Sequence, residues 1–128
     1  MRQRQHLWIG EGGCYFLSIA YLGEMISGEV VNDIDLYGIA LGRGWMDRDC
    51  YIRQPDSILS FITGQQWHVR HEPAEYVPKD YEKVIERWEW KKTMVTLAHF
   101  KLPDWDPYGE SDTVKYGELV SKRIFWRR

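Results

Sequence analysis

Cysteine is scarce. The 128 residues contain two, Cys14 and Cys50, far below the density of a small scaffold held by disulfides. They form no paired spacing, so a structural zinc site built from them with His68 and His71 is not expected. No apolar run approaches the ~20 residues of a membrane-spanning helix. The opening "MRQRQHLWIGEGG" has the charge of a secretory leader but lacks its apolar stretch. These absences predict a chain that meets no membrane, resides in a reducing cytoplasm and keeps both cysteines as free thiols. Neither sign of charge dominates. There are 17 basic and 19 acidic residues, for a net charge of -2, and "RIFWRR" is only locally basic. A nucleic-acid partner is therefore not expected. The glycine clusters "GEGG" and "LGRG" lack the lysine and the strand–helix setting of a phosphate loop. There is no internal repeat and no low-complexity linker.

Aromatic residues are plentiful: seven Trp and eight Tyr raise the aromatic share to 15%. Side chains of that size let a short chain build a substantial core and line a shallow groove. The length suits one domain over residues 1–128. Its first half reads as helices. Cys14 to Ser27 is apolar nearly all round, which marks a buried central helix, with Gly28 as its stop. Ile34 to Leu41 follows, capped by Asn32 or Asp33. "PDSILSFITG" has Pro55 at a first helical position and Gly64 at a C-cap. The second half reads mainly as strands. "QWHVRH" and "KTMVTLAHFKL" are predicted strands, and "DTVKYGELVSKRIFW" a hairpin turning near Tyr116 and Gly117. "PKDYEKVIERWEW" is the exception, with Tyr81, Val84, Ile85 and Trp88 on one face of a predicted helix. The expected class is α+β, with N-terminal helices packed on a C-terminal antiparallel sheet.

"EGGCYFLSIAYLGE" puts one thiol directly after a Gly-Gly pair, at the head of the central helix. The unpaired N–H groups there carry about half a positive charge, which favours a thiolate, the nucleophilic form. The Cys14 N–H could also face a developing oxyanion. The alternative is a small buried hydrophobe at a helix start. A nucleophilic cysteine needs a base. His6 lies near the N-terminus, and His68 and His71 are expected on the surface. His99 lies within a predicted strand of buried character. If Leu102 and Pro103 formed a two-residue turn in "AHFKLPDWDPYG", Asp106 would face His99 and could hold its ring. A three-residue turn would bring Pro107 there instead, and Asp104 is a competing partner.

The order "GGCYFLSIAYLGE", then "AHF" and "WDPYG", resembles the Cys…His…Asp order of papain-like cysteine peptidases, especially the compact bacterial type. The run "DPYGESDTVKYGELVSKRIF" resembles a family of small uncharacterised bacterial and prophage proteins with that fold. The resemblance implies Cys14 as nucleophile, His99 as general base and acid, and Asp106 as the orienting residue. It implies a peptide or amide substrate, with no cofactor and no metal. Papain-like enzymes carry a glutamine shortly before the cysteine as oxyanion donor. Here Trp8 stands in its place and Gln5 lies further upstream. That departure keeps a second expectation open, an inactive papain-like binding or assembly protein of phage or plasmid origin. Oligomeric state is not legible in the residues.

Overall fold

The apolar run after Gly13 folds into helix α1, Cys14–Ser27, and buries Phe16, Leu17, Ile19, Ala20 and Leu22. The computed structural model describes residues 13–127. Gly28 ends α1 in the left-handed region at φ 75°, with its N–H bonded to the Glu24 carbonyl at 2.8 Å. Glycine enters that region without the steric cost of a Cβ. Helix α2, Asp33–Gly42, starts at Asn32, whose side-chain oxygen accepts the N–H groups of Ile34 and Asp35. Helix α3, Pro55–Thr63, has proline in its first turn, where no N–H is missed, and ends at Gly64. Each of these ends agrees with the sequence reading to within a residue.

Strands β1 (Trp67–Pro73), β2 (Lys83–Lys92), β3 (Val95–Lys101) and β4 (Glu118–Arg127) form one open antiparallel sheet. Its order is β1-β4-β2-β3. A short helix α4, Asp112–Tyr116, precedes β4. One face of the sheet carries Val69 and His71 from β1, Arg123 and Phe125 from β4, Ile85 and Arg87 from β2, and Phe100 from β3. Phe125 and Ile85 join Phe16, Leu17, Ile19, Ile58, Leu59 and Trp67 in the core. This is an α+β architecture.

Helix α1 packs chiefly on α3 and on β3. Its approach to α3 is close because position 23 is glycine; a Cβ there would lie 2.5 Å from Ile62. Against β3, α1 covers the open edge of the sheet. The Phe100 N–H donates to Cys14 Sγ at 3.4 Å, and Ser18 Oγ, one helical turn on, donates to the Phe100 carbonyl at 3.4 Å. An edge strand leaves such groups unpaired, and here two short side chains of the helix take them.

Four expectations need correction. The segment predicted as a helix from Pro78 is strand β2 from Lys83. Only Ile85 in it is fully buried, so the apolar spacing marks no single helical face, and pairing with β3 and β4 on both sides decides the conformation. The predicted hairpin around Gly117 is helix α4 followed by one long strand. Ser111 Oγ caps that helix by accepting the Thr113 N–H. The outer half of β3, Val95 to Ala98, is exposed rather than buried, because β3 is an edge strand. The turn after β3 consists of Pro103 and Asp104, not Leu102 and Pro103. Leu102 pairs with Trp105 through backbone bonds of 2.9 and 3.3 Å. Proline's fixed φ suits the second position of a four-residue turn, which sets Leu102 as the first.

Candidate active site

Cys14 opens α1 and is 5% exposed. Gly13 in front of it supplies no side-chain cap, so the first-turn N–H groups gain no capping oxygen from that residue. The next element to reach the sulfur is β3, which brings the Phe100 N–H and the His99 ring. The Cys14 thiol lies close enough to the His99 side chain to act on its charge, and His99 Nε2 lies 2.8 Å from Asp106 Oδ1. With Nε2 engaged by the carboxylate, Nδ1 is the nitrogen left for sulfur. Cys14, His99 and Asp106 therefore meet in one cluster, although the turn register expected to pair the last two does not occur.

The pairing arises from where the chain leaves the ladder. After Trp105 the backbone turns through Asp106 to Gly109, with the Gly109 N–H on the Asp106 carbonyl at 3.0 Å and Gly109 at φ 79°. Asp106 Oδ1 also accepts the Tyr108 N–H at 2.8 Å. The carboxylate is thus fixed by its own turn before it meets the imidazole. Asp-Pro turns use this side-chain-to-backbone bond routinely. Here the same oxygen serves both partners.

Two stacked ring pairs tie these segments to α1. Tyr15, beside Cys14, stacks on Phe100, beside His99, with centroids 4.3 Å apart. Tyr21 stacks on Trp105, beside Asp106, at 4.0 Å. Pro107 is fully buried, and the Tyr108 ring lies 4.5 Å from the His99 ring. All three site residues therefore have a neighbour locked by packing, which pre-organises the cluster.

Burial acts to lower the His99 pKa. The hydrogen bond to Asp106, the neighbouring Cys14 thiol and the Asp106 charge outweigh burial and raise it to about 9. The imidazole is therefore protonated at neutral pH, facing sulfur on one side and carboxylate on the other. Its side chain is 2% exposed and that of Asp106 7%, so bulk water screens the group weakly.

A cavity of about 650 Å³ opens beside Cys14. Tyr15, Cys50, Phe100, Arg87 and Arg123 line it with the sulfur. His71, expected as a plain surface histidine, also borders it. Partial burial, then Arg123 and Arg87, lower the His71 pKa. Cys50 sits at φ 65°, unusual for a residue with a Cβ. Burial, then Asp49 and Cys14, push its thiol up to about 11, and no disulfide joins the two cysteines.

Sequence reading missed Arg87, Arg123 and Cys50. The arginines had a usable signal. Arg123 shares a face with the buried Phe125, and Arg87 with the buried Ile85, so each places a charge at a position of core parity. That signal is lost once β2 is taken for a helix and β4 for a hairpin. Gln5, His6 and Trp8 lie outside the described residues, as do the two candidate oxyanion side chains among them. Among the described residues no group of three His, Cys, Asp or Glu side chains could hold a metal ion. No helix among them is long and apolar enough to cross a membrane.

The family described as "Protein of unknown function, DUF261" matches residues 2–127. No curated protein and no solved structure matches the chain.

Proposed function

The chain belongs to the DUF261 family, and we propose that it is a papain-like cysteine hydrolase that cleaves an amide or isopeptide bond. The observation that carries this reading is the convergence of the Cys14 thiol, the His99 ring and the Asp106 carboxylate beside an open cavity. These groups come from a helix, a strand and a turn that are far apart in the chain. A thiol at a helix start opposite a sheet-borne histidine, with a carboxylate beyond the histidine in the chain, also fits the papain-like order that the sequence resembles.

In the proposed reaction the Cys14 thiolate adds to the substrate carbonyl carbon. The carbonyl electron pair moves to oxygen, where the Cys14 N–H at the uncapped start of α1 supplies one donor. In papain-like enzymes an upstream glutamine supplies another; here Trp8 stands in its place and Gln5 lies further upstream. The adduct collapses, the C–N bond breaks, and His99 gives its proton to the departing amine. A thioester on Cys14 remains. His99, now neutral, takes a proton from water as the hydroxyl adds to the thioester carbonyl. The C–S bond breaks, releasing the acid and restoring the thiolate beside imidazolium. Asp106 holds the ring and offsets its charge throughout. The absence of a disulfide between Cys14 and Cys50 suits a reducing compartment.

The test is alkylation of Cys14 by iodoacetamide, mapped by mass spectrometry. The intact chain should label at about pH 6, and His99→Ala should slow that labelling by about tenfold or more. Cys14→Ala should remove the label while leaving the thermal melt within about 1 kcal/mol of the parent. Labelling that is unaffected by His99→Ala would favour the inert binding module instead.

A further inference from the structure

The cavity beside Cys14 contains more positive charge than its neighbours cancel. Three arginines line it. Arg53 is held by Asp47 through two bonds of 3.0 and 2.9 Å. Arg87 is held by Glu89 at 2.6 Å. Arg123 is different. Its guanidinium donates to a neutral oxygen, Ser121 Oγ at 2.9 Å, and no carboxylate pairs with it among the described residues. Its guanidinium lies 5.4 Å from the centre of the Phe100 ring, and burial lowers its pKa. Partly buried guanidinium groups normally have an anionic partner, because desolvating an unpaired charge costs several kcal/mol.

A second orphan stands beside it. The Tyr15 hydroxyl is buried and has no hydrogen-bond partner among the described residues. It is close enough to Arg123 for the two to act on one another electrostatically. Asp56, a further carboxylate that acts on Tyr15, makes no ion pair with Arg123 among the described residues. A buried hydroxyl left unpaired destabilises the fold. Two side chains with unsatisfied donors, one of them charged, thus line a cavity whose other walls include Val69, Ala98 and Ile52.

We propose that this cavity is a substrate subsite for a carboxylate, bound by the Arg123 guanidinium and the Tyr15 hydroxyl. The assignment rests on the hydrolase reading above and gives it a substrate class: amides carrying a free carboxylate near the bond that Cys14 attacks. The charge balance selects a monoanion. With Arg53 and Arg87 matched by Asp47 and Glu89, one guanidinium charge remains. A carboxylate matches it with a two-oxygen fork, whereas a phosphate dianion would bring a second, unmatched charge into a partly apolar site.

The experiment compares two thiol reagents of similar size on the intact chain, iodoacetate and neutral iodoacetamide, with alkylation mapped to Cys14. Relative to the same ratio for free cysteine, the iodoacetate-to-iodoacetamide rate ratio should be raised. It should fall by about tenfold in Arg123→Gln and by less in Arg123→Lys, as expected for losing one charge-assisted bond. Tyr15→Phe should lower it without touching the charge, which keeps the test available if the Arg123 variants fold poorly. Glutarate should protect Cys14, and glutaramide and inorganic phosphate should protect it less. A ratio equal to that of free cysteine and unchanged in Arg123→Lys and Tyr15→Phe would overturn the subsite. A parallel titration of Cys14→Ala with glutarate, followed by NMR, separates the two ideas. Binding that is lost with Arg123→Gln keeps the subsite even if the thiol proves unreactive. Absence of glutarate binding in a folded Cys14→Ala chain overturns the subsite and leaves the alkylation test of His99 untouched.

Discussion

At the scale of single residues, the molecule contrasts charges that are matched with one that is not. Glu82 is the best-matched carboxylate. Its oxygens accept from Arg70 Nη2 and the Tyr76 hydroxyl at 2.6 Å each and from the Lys79 N–H at 2.9 Å. Burial acts to raise its pKa, but these three donors lower it to about 2. A carboxylate depressed in the folded state stabilises above its unfolded pKa, near 4.5, and loses that contribution as pH falls towards 2. Glu82→Gln should cost about 1–3 kcal/mol at neutral pH, because Arg70 loses its buried partner. It should also flatten the acid limb of the melting temperature in that window. Thermal melts across the acid range check both outcomes; an unchanged acid limb would mean that Glu82 titrates as it does in the unfolded chain. Arg123 shows the opposite condition, a guanidinium without a carboxylate, and it stands at the cavity rather than under a loop.

At the scale of elements, the site depends on how α1 meets the sheet. The helix does not simply lie on an apolar face. It lends Cys14 and Ser18 to the backbone of edge residue Phe100, and its tyrosines stack on Phe100 and Trp105. A comparable closeness occurs where α4 runs into β4. A Cβ at Gly117 would collide with the backbone carbonyl oxygens of Glu89 and Thr113, so neither neighbour can yield by a side-chain rotation. Gly117→Ala should therefore destabilise the fold by about 1–3 kcal/mol, read as a lowered denaturant midpoint. A midpoint unchanged from the parent would show that α4 shifts freely on β2. The sequence motif "KYGEL" suggests a turn glycine, and the structure gives that glycine a steric reason in a different setting.

At the scale of the whole molecule, legibility divides at the boundary between local and distant information. The three long helices were readable because their signals are local: Gly28 and Gly64 at C-caps, Asn32 at an N-cap, Pro55 in a first turn. Strand β2 was not, since Val84, Ile85 and Trp88 fit the helical period and one of its two partners, β4, lies far along the chain. Cys14, His99 and Asp106 were each legible as types in a setting, but their contact was reached through a mistaken turn register. The cavity arginines depend on strand parity across β1, β4 and β2, which requires the sheet itself. The central claim is likewise a property of the whole fold: residues 14, 99 and 106 share one proton economy only if the helix, strand and turn converge. The most direct measurement follows the His99 ring by NMR from about pH 5 to about pH 11 in the intact chain and in Cys14→Ala. The account predicts that the ring titrates near 9 in the parent and lower in Cys14→Ala. The stability linked to a raised histidine should be fully present below 6.5 and lost as pH rises through 9. A ring that titrates near 6.5 in both proteins would contradict the pairing of thiol and imidazole.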